Sequence, residues 1–241
     1  MSYAVCTSFN DEGYNLYGKP FLESYFKHWS VPLHVFYEGT KPVERGPVYH
    51  DLLADRDLQK FLSEYGKNPR ANGVVGKKDG KLVVDYRFQA IKFAKKVFAV
   101  TSPCRPDVDW WIWLDADTIT TDTVDEQFLE EVCPEGFAAS YLGRKEWPHS
   151  ECGWVAYSKR YEDGFLKRFR EVYTSGVVFS FMEWHDSFIF DAVRKEYEAR
   201  GHWFYNLSPN AKGLDAWGAS PLSEVMTHNK GPQAKKEAYA L

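Results

Sequence analysis

Apolar positions along the chain alternate between two spacings, short continuous runs and stripes that repeat every three to four residues, which predicts an α/β protein. Tyr3 to Thr7 reads as a short buried strand. A polar turn, Asn10-Asp11-Glu12-Gly13, follows, and then a helix carrying Leu16, Phe21, Leu22, Tyr25 and Phe26. Val31 to Tyr37 is a second strand, and this opening β-α-β unit favours a parallel sheet with right-handed crossovers. Asp57 to Tyr65 has helical spacing, whereas Gly66 to Lys81 is rich in Gly, Lys and Asn and is expected to be a solvated, flexible loop. Asp85 to Ala99 returns to helical spacing through Phe88, Ile91, Val97 and Phe98. It leads through a Pro-containing turn to the run Asp109-Trp110-Trp111-Ile112-Trp113-Leu114, an almost wholly apolar stretch that reads as a buried strand. Beyond it the pattern predicts a polar loop at Thr118 to Asp122 and helices at Glu126 to Val132, Tyr161 to Tyr173 and Trp184 to Tyr197. Strands are expected at Phe137 to Tyr141, Trp154 to Tyr157 and His202 to Leu207. No internal repeat and no linker long enough to separate independent domains is visible, so one domain over 1–241 is expected.

The apolar run ends in Asp115-Ala116-Asp117. Ligands of open α/β sheets bind at the carboxyl ends of buried strands. Two carboxylates two residues apart on an extended chain share a face, so both can reach one hard cation such as Mg²⁺ or Mn²⁺, whose remaining positions go to water and substrate phosphates. An Asp-x-Asp also occurs in ordinary turns after strands. An EF-hand loop beginning at Asp115 would put Glu126 at its twelfth position, but Thr120 stands where the turn needs glycine, and a strand precedes it. A phosphohydrolase of the haloacid-dehalogenase type also ends a strand in Asp-x-Asp, with the first Asp as nucleophile; there the fifth position is Thr or Val and the motif is near the N-terminus, whereas here it is Ile119 after a full β-α-β half. The third reading is a nucleotide-sugar transferase, in which a metal neutralises a diphosphate leaving group.

Bulk composition narrows the partners. The 241 residues are 44% hydrophobic, enough to bury a full core, and the net charge of −4 gives no general attraction for nucleic acid or anionic membrane. Cys6, Cys104, Cys133 and Cys152 are widely spaced and lack the C-x-x-C pairs of a zinc or redox site, which points to reduced thiols. The N-terminus has no basic and apolar leader pattern, and no run approaches a membrane span, so a soluble, cytoplasmic protein is expected.

Several short motifs, in order over most of the chain, resemble the GT-A-fold retaining glycosyltransferases, most closely the family of the blood-group A and B transferases and the α-galactosyltransferases. Phe9 and Tyr14 match F-x-x-x-x-Y, and Phe21-Leu22-Glu23-Ser24 matches F-L-E-S/T. Arg87-Phe88-Gln89-Ala90-Ile91 resembles R-M-x-x-I, Asp115-Ala116-Asp117 takes the place of D-V-D, Trp184-His185-Asp186 matches W-H-D-E, and Leu207-Ser208-Pro209 matches L-S-P. The resemblance implies a Rossmann-like GT-A fold with a mixed, mainly parallel sheet flanked by helices. It divides the chain into a nucleotide-sugar half (1–118), an acceptor half (119–228) and a basic tail (229–241). It further implies a UDP-sugar donor, Mn²⁺ or Mg²⁺ as cofactor, and transfer of a hexose to a hydroxyl acceptor with retention. Thr7, Phe9 and Tyr14 would contact the nucleotide. Arg87 and Asp186 would hold the sugar, with His185 on the acceptor side, and Asp115 and Asp117 would hold the metal. The tail Asn229 to Lys236 resembles the basic segment that closes over the diphosphate, giving Lys230, Lys235 and Lys236 to the phosphates. His228-x-x-Gly231 resembles the H-x-x-G of glycogenin-like transferases, where the His is a metal ligand, although the Lys-Pro-Trp that should follow is missing.

One departure bears on mechanism. The family has Glu after W-H-D, and here Ser187 takes its place, so a resident nucleophilic carboxylate is absent from that position and return of the acceptor on the leaving-phosphate face is the expected route to retention. A non-catalytic sugar or nucleotide-sugar binder is the alternative this loss suggests. The acceptor is open at this level, whether glycan, other hydroxyl compound or nucleic acid.

Overall fold

In the computed structural model the described residues are 1–145 and 147–230, with backbone alone described at 161–163. A seven-stranded sheet forms the centre. From edge to edge it runs β10 (Phe204–Asn206), β8 (Ala139–Leu142), β9 (Glu151–Ser158), β6 (Trp110–Leu114), β1 (Tyr3–Asn10), β2 (Leu33–Glu38) and β3 (Val48–Asp51). All neighbours pair in parallel except β9, which is antiparallel to both β8 and β6. The expected mixed, mainly parallel α/β sheet is what forms.

β6 is apolar throughout because both faces of the sheet are covered. Trp111 and Trp113 point into one core with Phe98, Phe169 and Phe190, while Trp110, Ile112 and Leu114 point into the other with Phe21, Leu33 and Val35. The first face is packed by α3 (Arg56–Tyr65), α4 (Ala90–Val100), α6 (Lys159–Thr174) and α7 (Asp186–Glu198), all of which contribute buried side chains to it. The second is packed by α2 (Lys19–His28), α5 (Glu126–Val132) and α8 (Leu222–Val225). The four cysteines are unpaired. No helix among the described residues is long and apolar enough to cross a membrane.

Four expectations are corrected. The turn after β1 is helical: Asn10 accepts the Gly13 amide and caps α1 (Asp11–Gly13), which runs through a π-helical turn at Tyr14–Gly18 into α2. Leu16 and Phe26, placed on the apolar stripe, are exposed. The loop expected at 66–81 contains β4 (Val74–Lys78), which forms an antiparallel hairpin with β5 (Lys81–Val84) through Asp79-Gly80, with φ of 51° and 75°. That is the two-residue turn Asp-Gly favours. The loop expected at Thr118 to Asp122 contains β7 (Thr118–Thr120), paired with β11 (Met226–His228).

Candidate functional site

β1 and β6 run in parallel with Cys6 beside Trp113, so both strands end on the same side of the sheet. The chain leaves β6 through a turn in which the Thr118 amide donates to the Asp115 carbonyl at 3.2 Å, while the Asp115 amide donates to Gly153 at 2.8 Å. The two carboxylates therefore converge through a turn rather than through strand alternation. β11 lies against β7 with His228 opposite Thr118, and the Asn229 amide donates to the Asp117 carbonyl. This return of the C-terminal strand puts His228 Nε2 3.1 Å from Asp117 Oδ1 and 3.7 Å from Asp115 Oδ2. One donor atom from each of the three residues falls within 4.8 Å of the others.

The arrangement around these groups orients them. Asp115 Oδ1 accepts from Trp113 Nε1 at 2.6 Å and from Lys96 Nζ at 2.8 Å, which leaves Oδ2 toward His228. Gly153 is a requirement of the same site: a Cβ there would lie 2.7 Å from His228 Cε1. His228 is raised above the usual imidazole value; burial opposes its charge, but the hydrogen bond to Asp117 and the charges of Asp117 and Asp115 outweigh it. Two carboxylates and one imidazole in this arrangement, with Asp115 turned by Trp113 and Lys96, are a donor set that could hold one divalent metal ion.

Lys96 was not singled out from the sequence. From α4 it reaches Asp115 and Asp186, each at 2.8 Å, and the Cys152 carbonyl. Burial disfavours its charge, yet the two carboxylates raise its pKa well above that of an ordinary lysine. Asp186 is held below the usual carboxylate range; burial opposes this, and Lys96 and then His185 outweigh it. The only sequence signal was a lysine bordering the apolar stripe Ala90, Ala94, Val97 and Phe98. Glu151 was also missed. It is buried against Arg144, Lys230 and the neighbouring His228, and their positive charge, Lys230 foremost, overcomes burial and lowers its pKa.

The remaining expected residues are placed as follows. Phe9 is buried, with its ring 5.6 Å from that of the half-buried Tyr14, whose hydroxyl donates to Glu44. Thr7 is fully buried, and its hydroxyl has no hydrogen-bond partner. Trp184 packs between Phe88 and Phe179. His185 caps α7 by accepting from the Phe188 amide, and Asp186 is the first helical residue, so the helix expected from Trp184 begins two residues later. Arg87 forms a close pair with Asp85 at 2.7 Å and lies 3.8 Å from Glu183. Among the described residues its guanidinium is turned to these two carboxylates and not to Asp115 or Asp117. Lys230 pairs with Glu151 while staying largely exposed. Lys235 and Lys236 lie outside the described residues.

No protein-family profile matches the chain, and no curated protein is similar in sequence. Solved structures are similar in fold. Mouse xyloside xylosyltransferase 1 superposes with a TM-score of 0.51 at 12% identity over 86% of each chain. A glycosyltransferase involved in glycosylation of the major capsid of PBCV-1 gives 0.51 at 11% identity, over 98% of this chain and all of that one. The bifunctional glycosyltransferase WbbM gives 0.53 at 12% identity over 96% of this chain and 46% of its own. The chain has the GT-A fold of these glycosyltransferases.

Proposed function

We propose that the protein is a metal-dependent glycosyltransferase that moves a hexose from a UDP-sugar to a hydroxyl acceptor with retention. The observation that carries this reading is the convergence of Asp115, Asp117 and His228 where the parallel strands β1 and β6 end. The fold shared with three glycosyltransferases supports it. Asp115, Asp117 and His228 would hold Mn²⁺ or Mg²⁺, which when bound supplies Lewis-acid neutralisation of the diphosphate leaving group. Trp113 and Lys96 orient Asp115 for that task. Lys230, already beside Glu151 and exposed, is close enough to His228 to exchange its carboxylate for a phosphate.

Asp186 is assigned to the sugar hydroxyls and not to nucleophilic attack. Its Oδ2 is neutralised by Lys96 and the side chain is buried, which lowers its nucleophilicity, and Ser187 beside it carries no charge. Retention then follows from attack on the same face as the departing phosphate, whose oxygen accepts the acceptor's proton. Tyr14 over Phe9 at the end of β1 is the place for the uracil ring, with Arg87 and His185 on the sugar and acceptor side.

A panel of UDP-sugars with Mn²⁺ tests this. Slow UDP release is expected for one donor, falling at least a hundredfold in Asp117→Ala. UDP binding without release would favour a non-catalytic sugar-nucleotide binder. Phosphate release from simple esters, independent of UDP, would favour a phosphohydrolase instead.

A further inference from the structure

A second convergence of ligand-type side chains lies apart from the Asp115 cluster. His149, in the connection between β8 and β9, meets Glu183 and His185 from the segment that enters α7, and one donor atom from each lies within 4.8 Å of the others. Glu183 Oε2 is the common point, 2.8 Å from His185 Nε2 and 3.9 Å from His149 Nε2. The two imidazole rings stand 4.5 Å apart and close to perpendicular.

His149 makes this more than a hydrogen-bonded pair. Its ring is only 7% exposed, Nδ1 has no hydrogen-bond partner, and Nε2 is too far from Glu183 for a hydrogen bond. A buried polar atom left in that state calls for an explanation, an unseen ion among them. Burial, and next the adjacent His185, hold His149 below the usual imidazole value. Glu183 is oriented in the way ligating carboxylates are: Arg87, itself neutralised by Asp85, stands near Oε1, which leaves Oε2 to the two imidazoles. Coordination through His185 Nε2 moves the ring proton to Nδ1 and gives up the Phe188 cap. At 3.4 Å that contact is already long.

We propose that His149, Glu183 and His185 form a second metal site, selective for zinc or a similar borderline ion. Two imidazoles and one carboxylate are the donor set of three-ligand zinc sites, which keep a fourth position open, whereas Mg²⁺ prefers oxygen ligands. His149 also lines a cavity of about 230 Å³ with Tyr141, Arg144, Trp147, Asp191 and Asn206, so the cluster has one member on an open space. The site stands on its own geometry and would hold zinc in a chain that released no UDP.

The test strips the full chain of metal, loads it with Zn²⁺ in excess Mg²⁺, and counts bound zinc by mass spectrometry. Asp117→Ala removes a ligand of the first cluster and should retain one zinc. Adding His149→Gln or Glu183→Gln in that background should remove it. Zinc retained at full stoichiometry in those double variants, or no zinc in Asp117→Ala itself, overturns the proposal. Anomalous scattering from a zinc-loaded wild-type crystal avoids any folding defect of the variants. An anomalous peak between His149, Glu183 and His185 supports the site, and zinc found only elsewhere overturns it.

Discussion

Lys96 and Gly153 decide whether Asp115, Asp117 and His228 can face one another. Lys96 lies between the carboxylates of Asp115 and Asp186, and among the described residues it is the ion-pair partner of the buried Asp186. Removing one member of a buried ion pair costs about 3–5 kcal/mol, because the other is left uncompensated. Lys96→Met should therefore lower urea-unfolding stability by about 3 kcal/mol. The double variant Lys96→Met/Asp186→Asn should regain much of that loss in the same titration while staying inactive. Gly153→Ala leaves every candidate ligand in place but pushes on His228, and calorimetry should find Mn²⁺ affinity lowered by about tenfold, a typical effect of disturbing a ligand's support. The pairing of Asp115 with Asp117 was legible in the sequence from their spacing after an apolar run, and His228 only through its resemblance to an H-x-x-G motif. Lys96, Glu151 and Gly153 were not, because their roles arise from contacts across the sheet that leave no local pattern.

Among the elements, those with a continuous buried run or a buried helical stripe were the most readable. The run expected as a strand from Asp109 to Leu114 forms one over Trp110–Leu114, and Glu126–Val132 is the expected helix. The exposed hairpin β4–β5 was hidden because its residues have no buried face, and a bulge between Val74 and Gly76 breaks the alternation. β7 and β11 were hidden for another reason: each is three residues long and gains strand character only from the other. The pairing of β2 with the unforeseen edge strand β3 also has a measurable consequence. His34 Nδ1 lies 2.9 Å from His50 Nε2, and His34 meets the edge of Trp111. Burial, then the charge of His50, lowers the His34 pKa from 6.5 to about 4, and burial lowers His50 as well. The folded state then refuses protons that the unfolded chain accepts, so the contribution of this pair to stability is constant above about pH 6.5 and falls as pH drops toward 4. At about 1.4 kcal/mol per unit, His34 alone accounts for roughly 3 kcal/mol across that window. Urea unfolding across it should show a shallower pH slope for His34→Phe, which keeps an aromatic ring against His50 and Trp111.

At the scale of the whole molecule, the alternation of apolar runs and stripes predicted an α/β sheet, and the reversed strand β9 is the feature that pattern could not carry, since strand direction depends on what precedes and follows in space. β9 matters to function because it supplies Glu151, Cys152 and Gly153 beside the carboxylates at the end of β6. The central claim is that a cation held by Asp115, Asp117 and His228 receives the diphosphate of a sugar nucleotide. Its most direct test is anomalous diffraction from a crystal grown with Mn²⁺ and UDP. The account predicts a manganese peak coordinated by both carboxylates, by His228 Nε2 and by the UDP phosphates; a peak elsewhere, or UDP bound with those side chains turned away from any ion, contradicts it.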